Sequence, residues 1–258
     1  MKLLERSRSP IAASRRPVAP SPQQALLGLL GGFELRVGPD VVLLPMRAQR
    51  LLAFLAIRQR RLTRSYVSQS LWIDATERHA DGSLRSALWN IGRLGAALVD
   101  TTGGHLSLAP GVAVDLHRST RLAERLMNDG RALDESELDE RMLRDDLLPD
   151  WYEEWVFPER EGYRNLRLHA LERLCERLVA LGSYAHAIDA GLAAVAAEPL
   201  RESANLILIR AHIAEGNTSE AVRHYGWYQC LLREEMGVAP SSAIAGVIER
   251  LREVVTPR

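Results

Sequence analysis

The sequence predicts a mainly α fold with a small β component, in which a front part of short strands and three helices leads into an all-α repeat array. Three observations carry this. Short apolar segments set apart by glycine and proline turns give way to apolar residues at three- and four-residue steps. Later helical patterns repeat themselves at a fixed offset. The charge also divides: sixteen Lys/Arg stand against eight Asp/Glu up to Arg118 and seventeen against twenty-five beyond it, within a chain of 258 residues and zero net charge.

Residues 1–24 are rich in Pro, Ser, Ala and Arg without periodicity and predict a flexible tail. "ALLGLL", "FELRV" and "VVLLP" follow, separated by Gly31-Gly32 and the turn Gly38-Pro39-Asp40, as in a small antiparallel sheet. Pro45 stops the last strand. Leu51, Leu52, Leu55 and Ala56 predict a first helix, and a short second one runs from about Arg64 to Trp72. In "DGSLRSALWNIGRLGAAL" Leu84, Leu88, Ile91, Leu94 and Leu98 predict a third helix, with Asp81 or Ser83 as its N-cap. "VDTTGGHLSL" places Gly103-Gly104 between strand-like arms, a hairpin signal. A small sheet, three helices and a terminal hairpin make a winged helix-turn-helix over residues 25–118.

Residues 119–258 form the helical part. Gly182-Ser183-Tyr184 with Ala187-Ile188 returns 34 residues later as Gly216-Asn217-Thr218 with Ala221-Val222, which is the tetratricopeptide period. Each glycine should end a helix and each alanine should sit where two helices press together. The change of character at Arg118 also implies that the front part is separable and keeps some of its binding activity alone.

The basic front half suits a polyanion partner and the acidic back half a different one. All cations but Lys2 are arginines, a residue suited to bidentate phosphate and guanine contacts, although compositional bias explains the preference as well. No apolar run reaches the ~18 residues of a membrane helix and the N-terminus lacks a signal-peptide core, so a cytoplasmic protein is expected. Cys175 and Cys230 lie in helical patterns and read as a reduced, buried pair.

On the far side of the third helix Arg85, Trp89 and Arg93 lie four residues apart, flanked by Ser86 and Asn90. Base and phosphate contact in a major groove is one reading, and a face on which Trp89 packs against a neighbouring element is the other. Arg64, opening the second helix, is the phosphate candidate among Arg47, Arg50, Arg58, Arg60, Arg61 and Arg64; the rest are expected to be solvated. In "PDWYEEWVFPERE" no histidine keeps ligand spacing with Glu153, Glu154, Glu159 or Glu161, so these acids read as solvent-facing rather than catalytic or metal-binding. Trp151 and Trp155 read as an apolar stripe closing one end of the helical part. No phosphate-binding glycine loop or catalytic constellation is present in the sequence, and no enzyme activity, metal or cofactor is expected.

"LLGLLGGFELRVGPDVVLLP", "LLAFLAIRQRRLTRSYVSQSLW", "SLRSALW" and "GGHLSLAPGVAVDL" resemble the DNA-binding half of the SARP-type antibiotic regulatory proteins of actinobacteria. "LLPDWYEEWVFPEREGYRNLRLHALERL" is similar to the start of that family's bacterial transcriptional activator domain. The resemblance implies an OmpR-type winged helix whose third helix enters the major groove and whose wing, here with Thr102 and His105, meets adjacent phosphates or the minor groove. It implies RNA polymerase contact from the loop between the second and third helices, with Asp74, Glu77 and Arg78 as candidates. It further implies activation by recruiting RNA polymerase holoenzyme to promoters of secondary-metabolite genes, with head-to-tail homodimers on direct repeats. The chain departs from the pattern where family members commonly carry arginine (Asn90, Gly92), proline (Ile73) and an aromatic residue (near Ser119). A rival reading is a helical-repeat interaction scaffold whose winged helix docks protein rather than DNA.

Overall fold

The computed structural model describes residues 25–128 and 140–255. The predicted tail, residues 1–24, lies outside them. β1 (Ala25–Gly28) and β2 (Glu34–Val37) form a hairpin across Gly31-Gly32, and β3 (Asp40–Val41) pairs with β2 across Gly38. Gly31 and Gly38 have positive φ, which a β-branched residue would not tolerate at these turns. Three helices follow: α1 (Met46–Arg58), α2 (Arg64–Leu71) and α3 (Glu77–Gly92). Between the first two, β4 (Leu62–Thr63) pairs with β6 (His105–Leu108), and β6 pairs with β5 (Val99–Asp100) to complete the wing.

Two features depart from the sequence reading. The front sheet is four-stranded and mixed, because β7 (Val112–Val114) returns from the wing to lie parallel to β1. The third helix starts four residues before Asp81 and ends at Gly92, with Thr76 rather than Asp81 or Ser83 at its N-cap. Gly95, at φ +69°, turns the chain out of the helix. Leu98 is buried beyond that turn, so the leucine spacing overran the helix.

The helical part contains α4 (Asp115–Met127), α5 (Phe157–Ala180), α6 (Tyr184–Ala197), α7 (Glu202–Glu215), α8 (Thr218–Met236) and α9 (Ser242–Val255). The 34-residue register is physical. Gly182 and Gly216 both adopt positive φ just past a helix, and the next residue's amide reaches back to the last turn in each case (Ser183 to Leu178, 2.9 Å; Asn217 to His212, 2.8 Å). Ala187 and Ala221 are fully buried, as are the equivalent Cys175 and Ile209. A side chain on Gly191 would meet Leu208 at 3.1–3.3 Å, so α6 and α7 approach as closely as glycine allows. Cys230, expected to be buried, is exposed; only Cys175 is buried, and burial pushes its thiol up to about 12.

The front core does not stop at Arg118. Leu147, Leu148, Trp151, Val156 and Tyr163 are buried in the same cluster as Leu29, Leu52 and Phe54. Leu148 donates to the Leu29 carbonyl and Gly31 to that of Asp146, both at 2.9 Å. From α5, Arg160 bonds the carbonyls of Leu147, Leu148 and Trp151, and the buried Arg167 holds Asp146 at 2.5 Å. Trp151 stacks on Phe33 and Trp155 sits edge-on to Phe54, so this aromatic pair closes the winged-helix core rather than an end of the repeat array. Ser119, where an aromatic residue is common in the resembled family, is buried beside an aromatic ring from α5: its hydroxyl meets that of Tyr163 at 2.8 Å.

Candidate nucleic-acid interface

α3 buries Ala80, Leu84, Ala87 and Ile91 against the first two helices and turns its other side outward. Glu77 in its first turn complements the positive end of the helix. On the outer face Arg85, Trp89 and Arg93 are exposed, Trp89 to 61%. The Arg93 guanidinium lies 4.8 Å from the centre of the Trp89 ring, a cation–π contact. A side chain on Gly82 would come within 3.8 Å of the Arg85 guanidinium, so Arg85 reclines over the turn before it where glycine leaves room. Among the described residues Trp89 is therefore not packed against a neighbouring protein element.

Ser86 and Asn90 are half-buried, and the Asn90 amide donates to the Ser86 carbonyl at 2.8 Å. Because α3 begins at Glu77, Arg85 stands in its third turn rather than its first. Glu77 and Arg78 are exposed first-turn residues of the helix, not loop residues, and only Asp74 lies in the connecting loop. Arg78 stands two turns before Arg85 and so shares the face of the stripe.

The wing is fixed from inside. Thr102 donates its amide (2.9 Å) and hydroxyl (2.5 Å) to Asp100, and these bonds hold the Asp100 carboxyl below the usual range. His105 Nδ1 donates to the Gly103 carbonyl at 2.9 Å, leaving Nε2 exposed. Thr63 pairs with His105 and also caps α2, which brings Arg64 to the base of the wing. Arg61 donates to the Thr102 carbonyl at 2.8 Å and ties the wing tip to the start of β4. Arg61, expected to be solvated, is exposed yet bonded; its signal in the sequence is the run "RQRRL", because the β4–β6 pairing that gives it a role spans some forty residues.

Arg50 and Arg58, also expected to be solvated, are partly buried. Arg50 pairs with Glu153 and Arg58 with Glu159, both at 2.6 Å, which joins the basic half to the acidic half internally. Glu153 and Glu159 are thus not purely solvent-facing, while Glu154 is exposed. A groove of about 830 Å³ opens beside these pairs, between Leu71–Ala75 and Tyr152–Trp155. Among the described residues no group of three or more His, Cys, Asp or Glu side chains is placed to hold a metal ion, and no helix is long and apolar enough to cross a membrane.

A family model described as bacterial transcriptional activator domain matches residues 114–252, more than half of the chain. The chain belongs to that family. The activator domain so defined begins at the last residue of β7 and takes in α4 to α8 and most of α9, so the helical repeats are its body. A solved structure of Mycobacterium tuberculosis EmbR in complex with a low-affinity phosphopeptide has the same fold over 90% of this chain, with a TM-score of 0.67 and 21% identity. The chain spans 66% of the length of that EmbR chain. No curated protein matches significantly. The activator-domain match supports the SARP-type resemblance and places the chain among transcriptional regulators, while the likeness to EmbR, at 21% identity, shows the fold.

Proposed function

We propose that this chain is a cytoplasmic, sequence-specific DNA-binding regulator that recruits RNA polymerase holoenzyme to promoters of secondary-metabolite genes, as a homodimer on direct repeats. In this reading residues 25–118 recognise DNA and residues 119–258 serve activation and self-association. The carrying observation is the exposed stripe of Arg85, Trp89 and Arg93 on the third helix of a winged fold, with no element among the described residues covering the indole. Arg85 is the base reader, bidentate to guanine, and Arg93 reaches the backbone. Arg64 takes a phosphate, and Thr102 and His105 meet the adjacent backbone from the wing. Ser86 and Asn90, bonded to each other through the helix, shape the contact more than they read bases. Asp74, with Glu77 and Arg78 at the start of α3, borders the face offered to polymerase.

Binding of random duplex and of a selected site at several salt concentrations tests this. The parent should lose affinity steeply with salt. Arg85→Ala should cost ~1–3 kcal/mol on the selected site and relax preference at one or two base pairs, whereas Arg93→Ala should weaken both duplexes alike and lower the salt slope by about one. A chain that binds no duplex at any salt would instead be a protein-docking scaffold.

A further inference from the structure

We propose that Trp89 makes the site thymine-selective, by packing its exposed indole on the 5-methyl group of one thymine in the major groove. This rests on the DNA reading above and names what the centre of the interface recognises. Trp89 is the large apolar side chain that α3 leaves exposed, and it stands between the two arginines of the stripe. Arg93 covers part of one ring face at 4.8 Å, which fixes the indole and leaves its remaining surface open.

Asn90, the next residue along the helix, is held away from hydrogen-bonded readout in its place. Bidentate recognition of adenine needs an amide free to turn its donor and acceptor to the base edge, and the Asn90 amide is held in place by its bond to the Ser86 carbonyl. The indole is thus the large apolar surface at the middle of the face. Among the groups that base edges present in the major groove, the thymine methyl is the apolar one. An indole held over a base step gains by excluding water from that methyl and gains nothing comparable from cytosine, whose amino donor meets a ring that has no acceptor atom.

The methyl can be removed without touching any hydrogen bond, by replacing thymine with deoxyuridine. A duplex selected from random sequence by the full chain is resynthesised with each thymine replaced singly, and Kd is measured for the parent, Trp89→Ala and Trp89→Phe. For the parent, one or two replacements should weaken binding about fourfold, the worth of one buried methyl group, and the others should be neutral. Trp89→Ala should bind the unmodified duplex more weakly and show no further loss at those positions, so that the two changes are not additive. Trp89→Phe, which keeps an aromatic face, should retain part of the penalty. If every deoxyuridine duplex binds as the parent duplex does, or if Trp89→Ala keeps the full penalty, thymine recognition by Trp89 is refuted while DNA binding stands. Loss of all salt-dependent binding to any duplex would refute the DNA reading and the thymine assignment together. Thermal melts accompany each variant, and at 61% exposure Trp89→Ala should leave the midpoint near that of the parent.

Discussion

Ending the chain at residue 118 should abolish folding of the winged helix, although charge and pattern both change there. The truncation strips Leu147, Leu148, Trp151, Val156 and Tyr163 from the front core, each at most 9% exposed in the whole chain. At ~1.5–3 kcal/mol for each large side chain removed from water, the loss is roughly 7–15 kcal/mol. That equals the entire stability of an ordinary domain, about 5–15 kcal/mol. It also removes the backbone bond from Leu148 to Leu29 and the carboxylates that pair with Arg50 and Arg58. Circular dichroism melts and amide NMR spectra of fragment 1–118 should show no cooperative transition and little dispersion. Adding a peptide of residues 140–166 in trans should restore both, because that peptide carries the missing side chains with Arg160 to hold them. A fragment 1–118 that melts cooperatively within a few degrees of the whole chain would refute the shared core, and the separable front part expected from sequence would stand.

Two further predictions concern the activator domain. Ala187→Leu and Ala221→Leu, one in each repeat and both fully buried, should each overpack a helix contact and cost ~1–3 kcal/mol, read as a lowered thermal midpoint. Unchanged midpoints in both would remove the repeat packing. Burial lowers the pKa of His224 to about 4, while its Nε2 donates to the buried Asn205 at 2.9 Å. The unfolded chain binds a proton near pH 6.5 that the folded one refuses until about pH 4, so stability should be full above pH 6.5 and fall as the pH drops towards 4. His224→Gln should flatten that decline in urea melts between pH 7 and 4, and an identical decline in the variant would show that other groups cause it.

Much of this molecule is local and was therefore legible as sequence. Apolar spacing placed α1, α2 and the body of α3, because a helix stands or falls on which residues fall on one side of it. The glycines at 182 and 216 and the alanines at 187 and 221 gave the repeat, since each repeat must present the same small residue to the same neighbour. The stripe of Arg85, Trp89 and Arg93 was visible for the same reason, as residues four apart share a face whatever surrounds them. What lies on that face and what covers it was another matter. Only tertiary structure decided that Trp89 is exposed, that the Asn90 amide is tied to its own helix, and that Arg85 stands in the third turn, because the N-cap passed to Thr76. Strand β7 beside β1, β4 beside the wing, and Trp151 on Phe33 join residues tens of positions apart, and no periodicity encodes such partners. Arg50 and Arg58 follow the same logic: their charge was plain in the sequence, but whether a cation faces a phosphate or a glutamate depends on which acids the fold brings within 3 Å, here Glu153 and Glu159 at 2.6 Å.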